Sequence, residues 1–225
     1  MQMNHIPDLS LRTLSFGPSQ GDKPKNIVLL LHGLGSNADD LISLAPIMAG
    51  ELPETLFLSV DAPEQCDMAP FGHQWFSLQN RAPDAILSGL QTTAQPALHK
   101  VISEIKEKYG IENKDLALLG FSQGTMTSLY TALHSDAPFA GVLGYSGALF
   151  LNPATEQDLT KQPICLVHGT ADDVVAFESL ADAETTLKEH DIEIETCACP
   201  NLGHSIDEKG LGTGVSFLQR VLGYA

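Results

Sequence analysis

Leu116-Ala117-Leu118-Leu119-Gly120-Phe121-Ser122-Gln123-Gly124 runs from an apolar stretch into G-x-S-x-G, and a helical pattern follows from Gln123 to His134. A strand that turns sharply into a helix needs glycines where a Cβ would collide with neighbouring backbone, and it leaves the serine hydroxyl exposed at the helix N-terminus. The run from Leu116 to Leu119 is apolar throughout, as suits a strand covered on both faces in a parallel sheet.

Working outward, Ile27 to Leu31, Leu56 to Val60, Ala140 to Leu143 and Ile164 to Val167 read the same way. Ile192 to Cys197 alternates and is expected to be the last strand, while Leu9 to Phe16 alternates loosely and is expected at an edge. Helical patterns cover Ile86 to Tyr109, Phe177 to His190 and Ile206 to Leu222. The first is expected to break or bend near Gln95-Pro96, because proline lacks a donor and clashes with the preceding turn. The alternation predicts an α/β fold with a mostly parallel central sheet and helices on both faces. No repeat, low-complexity tract or linker interrupts the chain, so residues 1–225 are expected to form a single domain.

The chain has 225 residues with 12 basic and 28 acidic side chains, a net charge of −16. Such a field repels nucleic-acid phosphates and anionic headgroups, so neither nucleic acid nor stable membrane association is expected. The start, from Met1 to Phe16, has no cationic segment followed by an apolar one, which points to a cytoplasmic location. Cys66, Cys165, Cys197 and Cys199 lack the spacing of a zinc site or a disulfide scaffold and read as packed thiols. No metal and no organic cofactor is expected.

A serine nucleophile needs a base and a carboxylate that orients it, which on strand-to-helix scaffolds follow in the order Ser, Asp, His. After the Ile164 run comes His168-Gly169-Thr170-Ala171-Asp172-Asp173-Val174-Val175, and after the last strand comes Asn201-Leu202-Gly203-His204. Of the eight histidines, His204 has the required order and loop setting; His168 reads as a packing or turn-supporting residue. The oxyanion of acyl transfer needs preplaced N–H donors. Gln123 supplies one, and His32-Gly33-Leu34-Gly35 should present the amide of Leu34 as the other. The long stretch from Asp61 to Arg81 carries Trp75 and Phe76, read here as a substrate-binding wall, with an aromatic plug over the sheet edge as the alternative.

HGLG at 32–35, GFSQG at 120–124, HGTADDVV at 168–175 and GHSI at 203–206, in this order, resemble the phospholipase/carboxylesterase family of α/β-hydrolases, which includes acyl-protein thioesterases. The resemblance covers about Ser10 to Leu222. It implies Ser122 as nucleophile, Asp172 rather than Asp173 as the acid, His204 as base, and the amides of Leu34 and Gln123 as the oxyanion hole. Ser36, Thr125 and Ala176 depart from the family's usual Asp, Gly and Pro. About 20 residues separate the Ala140 and Ile164 runs, short of the roughly 50 that an independent lid domain needs. The expectation is therefore a lidless serine carboxylesterase acting on small-molecule esters of short to medium acyl chain. An acyl-protein thioesterase or lysophospholipase would use the same residues, and a non-catalytic binding protein on this scaffold is the alternative from another class. The sequence leaves a homodimer open.

Overall fold

The computed structural model describes residues 3–18, 23–152 and 158–224. Its strands are β1 (Asn4–Ile6), β2 (Thr13–Phe16), β3 (Asn26–Leu31), β4 (Thr55–Val60), a short β5 (Glu64–Gln65) and β6 (His73–Gln74), then β7 (Leu116–Phe121), β8 (Gly141–Tyr145), β9 (Ile164–Gly169) and β10 (Ile194–Cys199). Eight of them form one sheet in the order β1-β2-β4-β3-β7-β8-β9-β10, parallel from β4 through β10. The β1 and β2 strands are antiparallel additions at one side. The expected edge strand over Leu9 to Phe16 is therefore corrected. Only Thr13–Phe16 is strand, and it lies one place in from the edge because β1 pairs with its outer side.

The continuous apolar runs are explained by what covers each face. Along β3, Ile27, Leu29 and Leu31 join one core cluster while Val28 and Leu30 join the other, and β7 divides Leu116 and Leu118 from Ala117 and Leu119 in the same way. The first face is covered by α3 (Pro83–Gly89), α4 (Gln95–Tyr109), α5 (Gln123–Leu133) and α6 (Glu178–Glu189). The second is covered by α1 (Ala38–Leu41), α2 (Ala45–Met48) and α7 (Glu208–Val221).

The expected break at Gln95-Pro96 is instead a π-helical turn, Leu90–Ala94, that leads straight into α4. Widening the turn gives the proline ring room and tolerates its missing N–H without ending the helix. The connection from β8 to β9 occupies residues 146–163, of which 153–157 lie outside the described residues.

The chain leaves β3 toward β4 on one side and later places β7 on the other. This reversal of order opens a crevice at the carboxyl ends of β3 and β7, where ligands bind in open α/β sheets. Leu34 follows β3, Ser122 follows β7, Asp172 follows β9 and His204 follows β10, so all four lie past the carboxyl end of a parallel strand.

Candidate active site

Ser122 occupies the corner between β7 and α5 with φ 54° and ψ −117°, backbone angles that an L-residue rarely adopts. A Cβ on Gly120 would lie 2.4 Å from the Thr125 nitrogen and one on Gly124 would lie 1.9 Å from the Leu31 carbonyl oxygen, so both flanking positions require glycine. The Ser122 N–H donates to the Tyr145 carbonyl at 2.8 Å, and the Ser122 carbonyl accepts from the Thr125 amide at 2.9 Å. Thr125 adds a side-chain clamp. Its hydroxyl donates to the Tyr145 carbonyl at 2.8 Å and accepts the Tyr145 N–H at 3.0 Å, tying the first turn of α5 to β8.

Beside this corner runs the loop after β3. Gly33 passes so near that a Cβ there would sit 3.3 Å from the Ser122 Cβ. His32 is fully buried, and its Nε2 accepts the Ala62 N–H at 2.9 Å. The proton therefore sits on Nδ1, which donates to the Gly33 carbonyl at 2.7 Å. Burial holds the imidazole below its usual pKa and so favours this neutral form, against the opposing pull of the Gly33 carbonyl. The Gly33 carbonyl also accepts from the Ser36 amide at 3.2 Å. Because the C=O of Gly33 and the N–H of Leu34 belong to one planar trans peptide, fixing the carbonyl on His32 turns the Leu34 amide the opposite way. Gln123 is the first residue of α5, so its amide is among those that no helical carbonyl reaches. Among the described residues neither amide has an acceptor.

Asp172 has its side chain fully enclosed. One carboxylate oxygen accepts the amides of Val174 and Val175, each at 2.9 Å, and the other faces His204 Nδ1 at 2.8 Å. Burial by itself would raise this carboxyl, but the hydrogen bonds from His204 and from the Val175 and Val174 amides outweigh it, and the group lies below its ordinary pKa. Asp173, in contrast, is exposed. His168, buried on β9, donates Nε2–H to the Val175 carbonyl at 2.9 Å and lies 3.3 Å from the same Asp172 oxygen that meets His204. The pairing of Asp172 with His204 is thus direct. Ser122 shares their end of the sheet: the Phe121 ring stands 4.9 Å from the His204 imidazole, and no hydrogen bond joins Ser122 to His204.

A cavity of about 270 Å³ opens beside Ser122, walled by Leu34, Gln123, Leu78, Ile86, Met126, Phe150, Arg81 and the chain from Val174 to Ala176. Trp75 and Phe76 do not line it, which corrects the wall expected of them. Both are buried to within 1%. The Gln123 side chain, itself fully buried, accepts the Trp75 N–H at 2.9 Å and donates to the Phe76 carbonyl at 2.7 Å, while the indole N–H donates to the His32 carbonyl at 3.0 Å. These bonds fold the aromatic pair beneath the loop as a plug, because backbone groups taken out of water must find partners inside.

His32, Thr125 and Met126 are missing from the sequence-based site, whereas the wall residues Leu78 and Phe150 belong to the two segments, Asp61 to Arg81 and Leu149 to Leu151, that the sequence offers as apolar surface for an acyl chain. His32 was signalled by its place directly before the glycine of HGLG, and Thr125 by its departure from glycine; Met126 carries no local signal. Among the described residues no group of three or more His, Cys, Asp or Glu side chains is placed to hold a metal ion. Among them no helix is long and apolar enough to cross a membrane.

The model of the family described as Phospholipase/Carboxylesterase matches residues 18–222. The chain is 31% identical to acyl-protein thioesterase 1 of Mycosarcoma maydis, over 94% of this chain and 98% of that one. It is 26% identical to esterase YpfH of Escherichia coli (strain K12), over 88% of this chain and 84% of that one. Among solved structures, esterase PE8 superposes with a TM-score of 0.87 at 33% identity, covering 95% of this chain and 99% of that one.

Proposed function

The chain belongs to the phospholipase/carboxylesterase family of α/β-hydrolases, serine hydrolases of carboxylic esters, and on that premise we propose that residues 1–225 act as a single domain that cleaves small-molecule esters through an acyl-enzyme on Ser122. One observation carries the assignment of residues: His204 Nδ1 lies 2.8 Å from an enclosed Asp172 oxygen, at the same end of the sheet as the strained corner that holds Ser122. Asp172 fixes the tautomer in which Nδ1 holds the proton and Nε2 is free to accept one. His204 takes the Ser122 proton as the hydroxyl oxygen attacks the ester carbonyl. The amides of Leu34 and Gln123 receive the oxyanion. The C–O bond to the alcohol breaks as His204 returns the proton, and water repeats the sequence to release the acid.

The mostly apolar wall around Ser122 supports a substrate with an apolar arm of short to medium length. The experiment is labelling with a fluorophosphonate, followed by rates on p-nitrophenyl esters of rising chain length. Stoichiometric modification of Ser122 with ester turnover is expected. A folded protein that neither labels nor turns over would overturn the reading and leave a binding protein on this scaffold. A second reading, thioester hydrolysis, is supported by the relative named acyl-protein thioesterase 1. It is favoured if an acyl thioester outpaces its oxygen analogue.

A further inference from the structure

Among the described residues, Arg81 is the one charged side chain on the wall of the cavity beside Ser122. The chain has three arginines. Arg12 is ion-paired with Asp39 and Asp61, and Arg220 with Glu195. Arg81 makes no ion pair among the described residues, although the chain holds 28 carboxylates. Among the described residues no carboxylate lines the cavity. A guanidinium at the mouth of an apolar cleft, exposed and without a counter-ion, offers a planar fork that matches a carboxylate or phosphate.

We propose that Arg81 is a specificity-determining residue that selects esters carrying an anionic group, a carboxylate or a phosphate, on the substrate arm lying along Leu78, Arg81 and Ile86. The proposal rests on the ester-hydrolase reading of the same cleft. A neighbouring hollow of about 390 Å³ shares Ala148 and Phe150 with the cleft and continues past Leu149 and Leu151 to Asp182 on α6. Asp182 would repel an anion there, so the anionic arm belongs on the Arg81 side and the neutral or cationic arm on the other. The net charge of −16 works against any anion at long range. A preference for anionic esters must therefore come from a local cation, and among the described residues the charged lining of this cleft consists of Arg81.

The test compares kcat/KM for matched pairs in wild type, Arg81→Gln and Arg81→Lys. The pairs are 4-acetoxybenzoate against its methyl ester, which puts the anion on the alcohol arm, and monophenyl adipate against its methyl ester, which puts it on the acyl arm. 4-Acetoxyphenyl phosphate against phenyl acetate reports phosphate as the anion. The anionic-to-neutral ratio should fall roughly tenfold in Arg81→Gln for at least one pair, the loss expected for a charge-assisted hydrogen bond, and Arg81→Lys should keep part of it. Unchanged ratios in all three pairs, with the neutral esters still hydrolysed, would overturn the proposal alone. No hydrolysis of any ester by wild type would overturn the ester-hydrolase reading and the proposal with it.

Discussion

The side-chain carbonyl of Gln123 accepts the backbone N–H of Trp75 at 2.9 Å, so the residue directly after the candidate nucleophile also anchors the loop from Asp61 to Arg81. The Gln123 amide nitrogen completes the clasp on the Phe76 carbonyl. Gln123→Ala should cost about 2–4 kcal/mol, because it strands two buried backbone groups. Gln123→Glu should be no milder, since a carboxylate cannot donate to Phe76 and would bring a charge into a dry site. Urea unfolding measures both; a loss below about 0.5 kcal/mol for either would show that the clasp is dispensable.

Ser122→Ala and His204→Ala should each lower kcat by about three or more orders of magnitude, with the double variant little worse than either single one. Asp172→Asn should be far more damaging than Asp173→Asn, since Asp172 is enclosed against His204 while Asp173 faces solvent. Comparable losses at the two aspartates in steady-state assays would contradict the assignment.

The acid limb of stability should report the same carboxylate. Asp172 titrates lower when folded than in the unfolded chain, where about 4 is usual. Its ionised form therefore contributes stability that is fully present above about pH 4 and is lost as pH falls through the lower folded value. Asp172→Asn should flatten the pH dependence of unfolding in that window. A wild-type slope retained in the variant would place the acid sensitivity elsewhere.

How much of this was legible in the sequence divides along a physical line. The parallel strands were readable because burial on both faces leaves unbroken apolar runs, and the order of Ser122, Asp172 and His204 was readable because tight strand-end turns demand glycines at fixed offsets. The four-residue helices α1 and α2 are too short to show a period. The π turn before Pro96 is a local answer to a clash whose outcome composition does not dictate. For Trp75 the sequence left wall and plug both open, since the Gln123 side chain that holds its backbone N–H in the buried position is distant in sequence.

Chain-length control is expected from the residues that line the cleft rather than from Trp75. Trp75→Ala should lower stability by about 3–5 kcal/mol without being a clean probe of substrate preference, because the indole is core. Leu78→Ala and Phe150→Ala alter the cleft itself. Wild-type kcat/KM should rise up to about fourfold per added methylene while the chain remains inside, then level off. In Leu78→Ala or Phe150→Ala the plateau should move to a different length. An identical profile in both would place the acyl arm outside this cleft.

The backbone of Ser122, with φ 54°, is a conformation that glycine adopts freely and serine only under constraint, at a cost of about 1–3 kcal/mol. Ser122→Gly should consequently melt at a higher temperature than Ser122→Ala, although both lack the hydroxyl. In a culture selected for nothing but protein yield, the glycine form would be the fitter allele. A hydroxyl at that corner is kept only while some growth advantage depends on turnover, and drift after its loss would run toward an inert, longer-lived protein.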